Sequence, residues 1–199
     1  MKIMLIGATG TIGKAVTQAL AEHELILVGN ASGQYQVDIE DRATIERLFA
    51  QVGKVDAIIS TAGKIEFGII TELTLAQFAT TINSKIIGHI NLLQIGSKFV
   101  NQGGSITFTS GFLAQNPSPG SSAVSLANAA LDSLAKAAAL EFEGQFRVNT
   151  VSPRFVKETM EMMGMDSSMG ISAVDTAKAY KHAVLSTCNG AAIDVTECI

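Results

Sequence analysis

Short apolar runs alternate along the chain with longer segments of helical period. Residues 3–6 (Ile3-Met4-Leu5-Ile6), 25–28, 55–60, 105–109, 147–151 and 191–195 form runs without a polar–apolar alternation of period two. Such runs suit strands of a parallel sheet, which are buried on both faces. The segments between them are amphipathic. In the clearest, Ser122 to Phe142, residues Ala127, Ala130, Leu131, Leu134 and Ala138 recur at helical spacing and predict one buried stripe. Leu75 to Val100 reads as one long helix. Strand and helix alternating over the whole chain predict an α/β domain, a parallel sheet with helices on both faces.

One connection breaks this rhythm. Only residues 31–34 or so separate the second strand from Tyr35-Gln36-Val37-Asp38, whereas a parallel crossover normally takes about a dozen residues or more. The helix expected there is missing, and any third strand at 35–38 is a short edge strand. Pro117, Pro119 and Gly120 mark a loop, and Gly164 to Ile171 reads as a mobile surface loop.

Composition narrows the function classes. A chain of 199 residues fits one domain spanning 1–199. Fourteen Lys and Arg against eighteen Asp and Glu leave a net charge of −4, which argues against nucleic acid as a partner. With 47% hydrophobic and 16% charged residues the chain is not disordered, and apolar surface remains for a subunit interface. Cys188, Cys198, His23, His89 and His182 show no metal-site spacing, so no metal is expected. No run approaches the roughly 18 apolar residues of a membrane span. The opening apolar run stops at Gly7, too short for the core of a secretion signal. A cytoplasmic protein without a membrane partner is expected.

Gly7-Ala8-Thr9-Gly10-Thr11-Ile12-Gly13 follows the first strand and opens a helix. Glycines there let the backbone turn tightly and approach a pyrophosphate, while the helix N-terminus offers free N–H groups to the anion. The alternative is a glycine-rich structural turn.

With this motif in place, the chain resembles the short-chain dehydrogenase/reductase family over nearly its full length. Asp38 in Val37-Asp38-Ile39 resembles the aspartate that meets the adenine ring. Asp56 followed by Ser60-Thr61-Ala62-Gly63 resembles the strand ending in Asn-Asn-Ala-Gly, with Ser-Thr in place of Asn-Asn. Asn83 in Ile82-Asn83-Ser84-Lys85 resembles the asparagine of the long helix that supports the catalytic site. Gly104-Ser105-Ile106-Thr107-Phe108-Thr109-Ser110 resembles the strand that ends in the catalytic serine, and Arg147 to Pro153 the late strand with its Pro-Gly turn. The resemblance implies a Rossmann-like, doubly wound sheet in the order 3-2-1-4-5-6-7. It also implies a nicotinamide cofactor held by Gly7, Thr9, Gly10, Thr11, Ile12, Gly13, Asn30, Ser32, Asp38, Ala62, Gly63, Asn128 and Pro153, and a small carbonyl or alcohol substrate. A homodimer or homotetramer is implied through the two long helices at 75–100 and 122–142.

The departures bear on catalysis. The family carries Tyr-x-x-x-Lys at the start of the helix after the serine loop; the tyrosine is the acid/base, and the lysine lowers its pKa and holds the nicotinamide ribose. Aligned on Ala129-Ala130-Leu131-Asp132, those positions are Val124 and Asn128. Valine transfers no proton, and Asn128 carries no charge to depress a pKa. Arg154 stands where the family has the glycine after Pro153. Ser110 and Asn83 remain as catalytic candidates, and Lys85, His89 and Lys64 are titratable groups within reach of the cleft whose alternative is a solvated or interface role. Met160, Met162, Met163, Met165 and Met169 form either an apolar lid or a packing surface. At the end of the second strand, Gly29-Asn30-Ala31-Ser32, neither an acid nor an arginine stands. Asn30 and Ser32 can donate to a 2′-phosphate and Lys14 can add charge, which favours NADP(H), with NAD the alternative. Two functions stay open: an oxidoreductase with an altered or degenerate site, and a non-catalytic NADP(H)-binding sensor or scaffold.

Overall fold

The computed structural model describes residues 1–199. Seven parallel strands form one sheet in the order β3-β2-β1-β4-β5-β6-β7. They are β1 (Lys2–Ile6), β2 (Glu24–Gly29), β3 (Tyr35–Gln36), β4 (Val55–Ser60), β5 (Val100–Thr109), β6 (Arg147–Ser152) and β7 (Ala192–Asp194). Helices α1 (Thr11–Ala19), α2 (Arg42–Val52), α3 (Leu75–Thr81), α4 (Gly88–Gly96), α5 (Ser122–Glu141), α6 (Lys157–Met162) and α7 (Ala173–Leu185) connect them.

The unbroken apolar runs reflect two cores, one on each face of the sheet. In β1, Met4 and Ile6 join Phe49, Leu92, Phe108 and Val148 on one side. Ile3 and Leu5 join Val16, Leu20, Tyr180 and Ile193 on the other. The α5 stripe is buried at Ala127, Leu131 and Ala138, with Ala130 and Leu134 half-buried at its edge.

Two expectations need correction. The long helix is not uniform. Between α3 and α4 the residues Ile82–Ile87 wind as a π-helix, and the Gly88 N–H reaches back to the Asn83 carbonyl. Helical structure ends at Phe99, and Val100 belongs to β5. That strand starts five residues before the run at Ser105 because it bulges: Val55 pairs with Val100, but Ala57 pairs with Ser105. The short edge strand does form, with Tyr35 opposite Val28 and Gln36 opposite Gly29. No helix is long and apolar enough to cross a membrane.

Candidate active site

Strand order reverses direction between β1 and β4, so the connections leaving their carboxyl ends diverge and open a crevice, the usual ligand position in doubly wound sheets. A cleft of about 280 Å³ occupies it. Its lining includes Gly7, Thr9, Gly10, Asn30, Asp38, Ala62, Gly63, Lys64 and Ser84. Gly7 has a φ of +85°, and a Cβ there would stand 2.6 Å from Thr61 Oγ1. The Thr61 hydroxyl in turn donates to the Gly7 carbonyl at 3.1 Å, closing the floor between β1 and β4. At Gly13 a Cβ would come within 2.1 Å of the Gly7 carbonyl, so the first turn of α1 packs directly on the strand–helix turn.

Helix α1 differs from α2, α3 and α7. Those three are capped by side chains of Asp41, Thr74 and Ser172. Helix α1 has no side-chain cap and no acidic residue in its first turn. Its leading N–H groups, at Thr11, Ile12 and Gly13, lack intrahelical acceptors by position and stand at the cleft beside Gly10. A methyl group at Gly10 would meet only the Gly7 carbonyl, at 3.4 Å. This open, uncapped end fits the oxygens of a pyrophosphate.

Not every expected residue reaches the cleft. Ser32 lies exposed in the turn after β2, its carbonyl folded over Gly29, where a Cβ would meet it at 1.8 Å. Pro153 is buried and its carbonyl accepts from the Phe112 N–H. Asn83 is the plainest departure. It is exposed, because the wider π turn rotates Ser84 and Lys85 inward and Asn83 outward. Arg154 pairs with Asp194 at 2.7 Å and lies over the Phe112 ring.

Behind Gly63, a lining residue of the cleft, the turned helix delivers a lysine. Lys85, 6% exposed, donates from Nζ to the Ser110 carbonyl at 3.1 Å and to Asn128 Oδ1 at 3.0 Å. Burial pulls its pKa down to about 8, against the opposing pull of Asp132. The solvated or interface reading therefore fails for Lys85. It fails for His89 also, which is fully buried. His89 Nδ1 lies 2.6 Å from the Lys85 carbonyl. A carbonyl only accepts, so Nδ1 carries the proton and Nε2 takes the Ser60 hydroxyl at 3.0 Å. Burial, then the Lys85 charge, lowers the His89 pKa to about 3, and the imidazole is neutral. Lys64 is exposed and pairs with Glu40 at 3.2 Å at the mouth. The Ser110 hydroxyl donates to the Val151 carbonyl at 3.3 Å. Val124 is buried.

Beside the cleft, and sharing Asn30, Val37 and Asp38 with it, lies a second cavity of about 330 Å³. Arg47 of α2 lines it. No arginine stands at the end of β2 along the chain; Arg47 reaches that place through the fold. The signal was the missing crossover helix, whose absence brings α2 close to the end of β2.

The profile described as enoyl-(acyl carrier protein) reductase matches residues 10–193. A short-chain dehydrogenase/reductase of Stachybotrys chlorohalonatus is 33% identical over 153 residues, covering 72% of this chain; the chain spans 59% of that relative's length. The crystal structure of protein lin1944 from Listeria innocua is similar with a TM-score of 0.92 and 38% identity, covering 98% of this chain and 99% of that one. A small-chain dehydrogenase in complex with NADPH is similar with a TM-score of 0.86 and 27% identity, covering 98% of this chain and 95% of that one. The sheet order, the glycine turn and these similarities agree: the chain belongs to the short-chain dehydrogenase/reductase family.

Proposed function

We propose that this protein binds a nicotinamide dinucleotide, NADP(H) in preference to NAD(H), and acts as an oxidoreductase on a small carbonyl or alcohol substrate through a rearranged reacting centre. The observation that carries this reading is the cleft at the switch point, entered by the uncapped N-terminus of α1. The NADPH bound by a similar dehydrogenase supports the choice of cofactor. Arg47 beside Asn30 supports the phosphorylated form, since a guanidinium suits a phosphate. Gly7 to Gly13 would hold the pyrophosphate, and Asp38 lies at the adenine end. The cofactor supplies hydride transfer; this chain's residues bind it and set the charge around it.

A second reading is a non-catalytic NADP(H)-binding sensor or scaffold. Val124 favours it, because the position that the resemblance assigns to the acid/base holds an apolar side chain. Calorimetric titration with NADPH and NADH tests the shared part of both readings; no binding of either at millimolar concentration overturns them. Turnover across a panel of ketones and aldehydes separates the two.

We also infer a homodimer or homotetramer in the cytoplasm. Leu75 and Ile87 on the first long helical segment, and Leu126 and Leu140 on α5, are exposed apolar residues on the two elements expected to pair. Sedimentation equilibrium measures it, and a monomer at micromolar concentration contradicts it.

A further inference from the structure

Two independent features converge on Lys85. One is the π-helical segment Ile82–Ile87, which interrupts an otherwise α-helical stretch and turns Lys85 under Gly63. Single π turns inside α-helices often sit at functional positions because they re-aim one side chain at the expense of regular hydrogen bonding. The other is Asn128. The resemblance assigns a lysine to this position of α5, yet here Asn128 is neutral and accepts the Lys85 ammonium at 3.0 Å. A cation therefore reaches the same spot from the facing helix.

Stability alone is a weak reason for a buried ammonium. A buried charge loses hydration, and an apolar side chain of similar shape is often the more stable choice. The groups facing Lys85 are few. Asp132, one turn beyond Asn128 on α5, takes the Thr150 hydroxyl at 2.6 Å through Oδ1 and leaves Oδ2 without a partner. His89, on its own helical segment, is neutral. An ammonium has three N–H donors. Two go to Ser110 and Asn128, and no protein acceptor takes the third. A buried donor without a protein partner is open to water or to a bound ligand.

We propose that Lys85 is a ligand-binding residue of the inner cleft, giving its third N–H to a hydroxyl oxygen on the nicotinamide half of the bound dinucleotide, in place of a lysine on α5. This rests on the reading of the cleft as a nicotinamide dinucleotide site. The alternative is a brace that only ties the π turn to α5 and the end of β5.

The test uses two probes on the full chain: NADPH, and 2′,5′-ADP, which lacks the nicotinamide half. Three variants are titrated by calorimetry at neutral pH: Lys85→Met, Lys85→Asn and the exchange Lys85→Asn with Asn128→Lys. NADPH affinity is expected to fall about tenfold in both single variants, the size of one lost charge-assisted hydrogen bond. Affinity for 2′,5′-ADP is expected to stay unchanged, and the exchange to restore NADPH binding by returning the charge from α5. Equal NADPH affinity in wild type and Lys85→Met overturns the proposal. So does a parallel loss of both probes, which a brace would produce. Wild type that binds 2′,5′-ADP and NADPH equally well overturns it too, whereas wild type that binds neither overturns the cofactor reading itself.

Discussion

The α-carbon of Gly63 rests against the aliphatic stem of Lys85. A Cβ at Gly63 would stand 2.9 Å from Lys85 Cγ, and the glycine has a φ of +136°. Gly63→Ala therefore combines backbone strain with displacement of the buried lysine. It is expected to lower unfolding stability by roughly 1–3 kcal/mol, measured by urea denaturation. Stability equal to wild type would mean that the stem moves freely, contrary to its burial.

Neutral His89 makes the fold sensitive to acid. Its pKa is about 3 in the folded state against 6.5 as the ordinary value. Between these values the unfolded chain binds the extra proton, so this contribution is complete above pH 6.5 and is lost as pH falls toward 3. The upper limit is about 5 kcal/mol. Urea midpoints of wild type and His89→Gln across that range should differ in slope, with the wild type the steeper. Parallel curves would contradict the buried neutral ring.

Gly10 and Gly13 separate ligand binding from folding. Gly13→Ala drives a methyl group into the Gly7 carbonyl and is expected to destabilise the chain severely. At Gly10 the added methyl meets only one backbone atom at 3.4 Å. Gly10→Ala is expected to keep its melting temperature within a few degrees and still weaken NADPH about tenfold or more. The methyl would narrow the approach to the α1 N–H groups. Thermal melts and calorimetry on the same samples check both halves.

Arg47→Ala is expected to weaken NADPH about tenfold, the scale of a lost charge-assisted hydrogen bond, and to leave NADH affinity unchanged. An equal effect on both would place the 2′-phosphate elsewhere.

Catalysis is expected to depend on position 124. The wild type should reduce ordinary ketones and aldehydes more slowly than a variant with an acid at that position. A tyrosine has a pKa of about 10 in isolation, and a nearby ammonium lowers it. Val124→Tyr alone should therefore raise NADPH-dependent turnover, and adding Lys85→Met should diminish it. Equal turnover by the wild type and Val124→Tyr, followed by NADPH absorbance, would refute the reading of Val124 as a lost acid.

The parts of this structure that follow from local pattern are legible in the sequence. Doubly buried strands read as apolar runs, and the seven-stranded order agrees with the expected topology. The short second connection correctly left β3 at the edge. The reacting end was harder to read for a geometric reason. Which of Asn83, Ser84 and Lys85 faces inward depends on helical period, and a π turn changes that period without a mark in composition. Asn83 is assigned by its resemblance to the family's asparagine, and the π turn leaves it exposed while Lys85 is buried. Arg47 was missed because it reaches its cavity through tertiary proximity, well beyond Gly29 to Ser32 in sequence.

The two-residue β3 has an energetic consequence. The wall between the cleft and its neighbouring cavity packs on the core through Val37 and Ile39, but its backbone hydrogen bonds to the sheet are few: those of Tyr35 and Gln36 in β3 and the one from the Val37 N–H to the Gly29 carbonyl. A segment with so few cross-strand bonds opens at lower free energy than the central strands. A ligand lying against Asn30, Val37 and Asp38 would stabilise only the closed form, by about 2.7 kcal/mol at a hundredfold excess over its dissociation constant. Amide hydrogen exchange in residues 30–37 would then slow more than anywhere else in the sheet on saturation, making this margin a local reporter of occupancy.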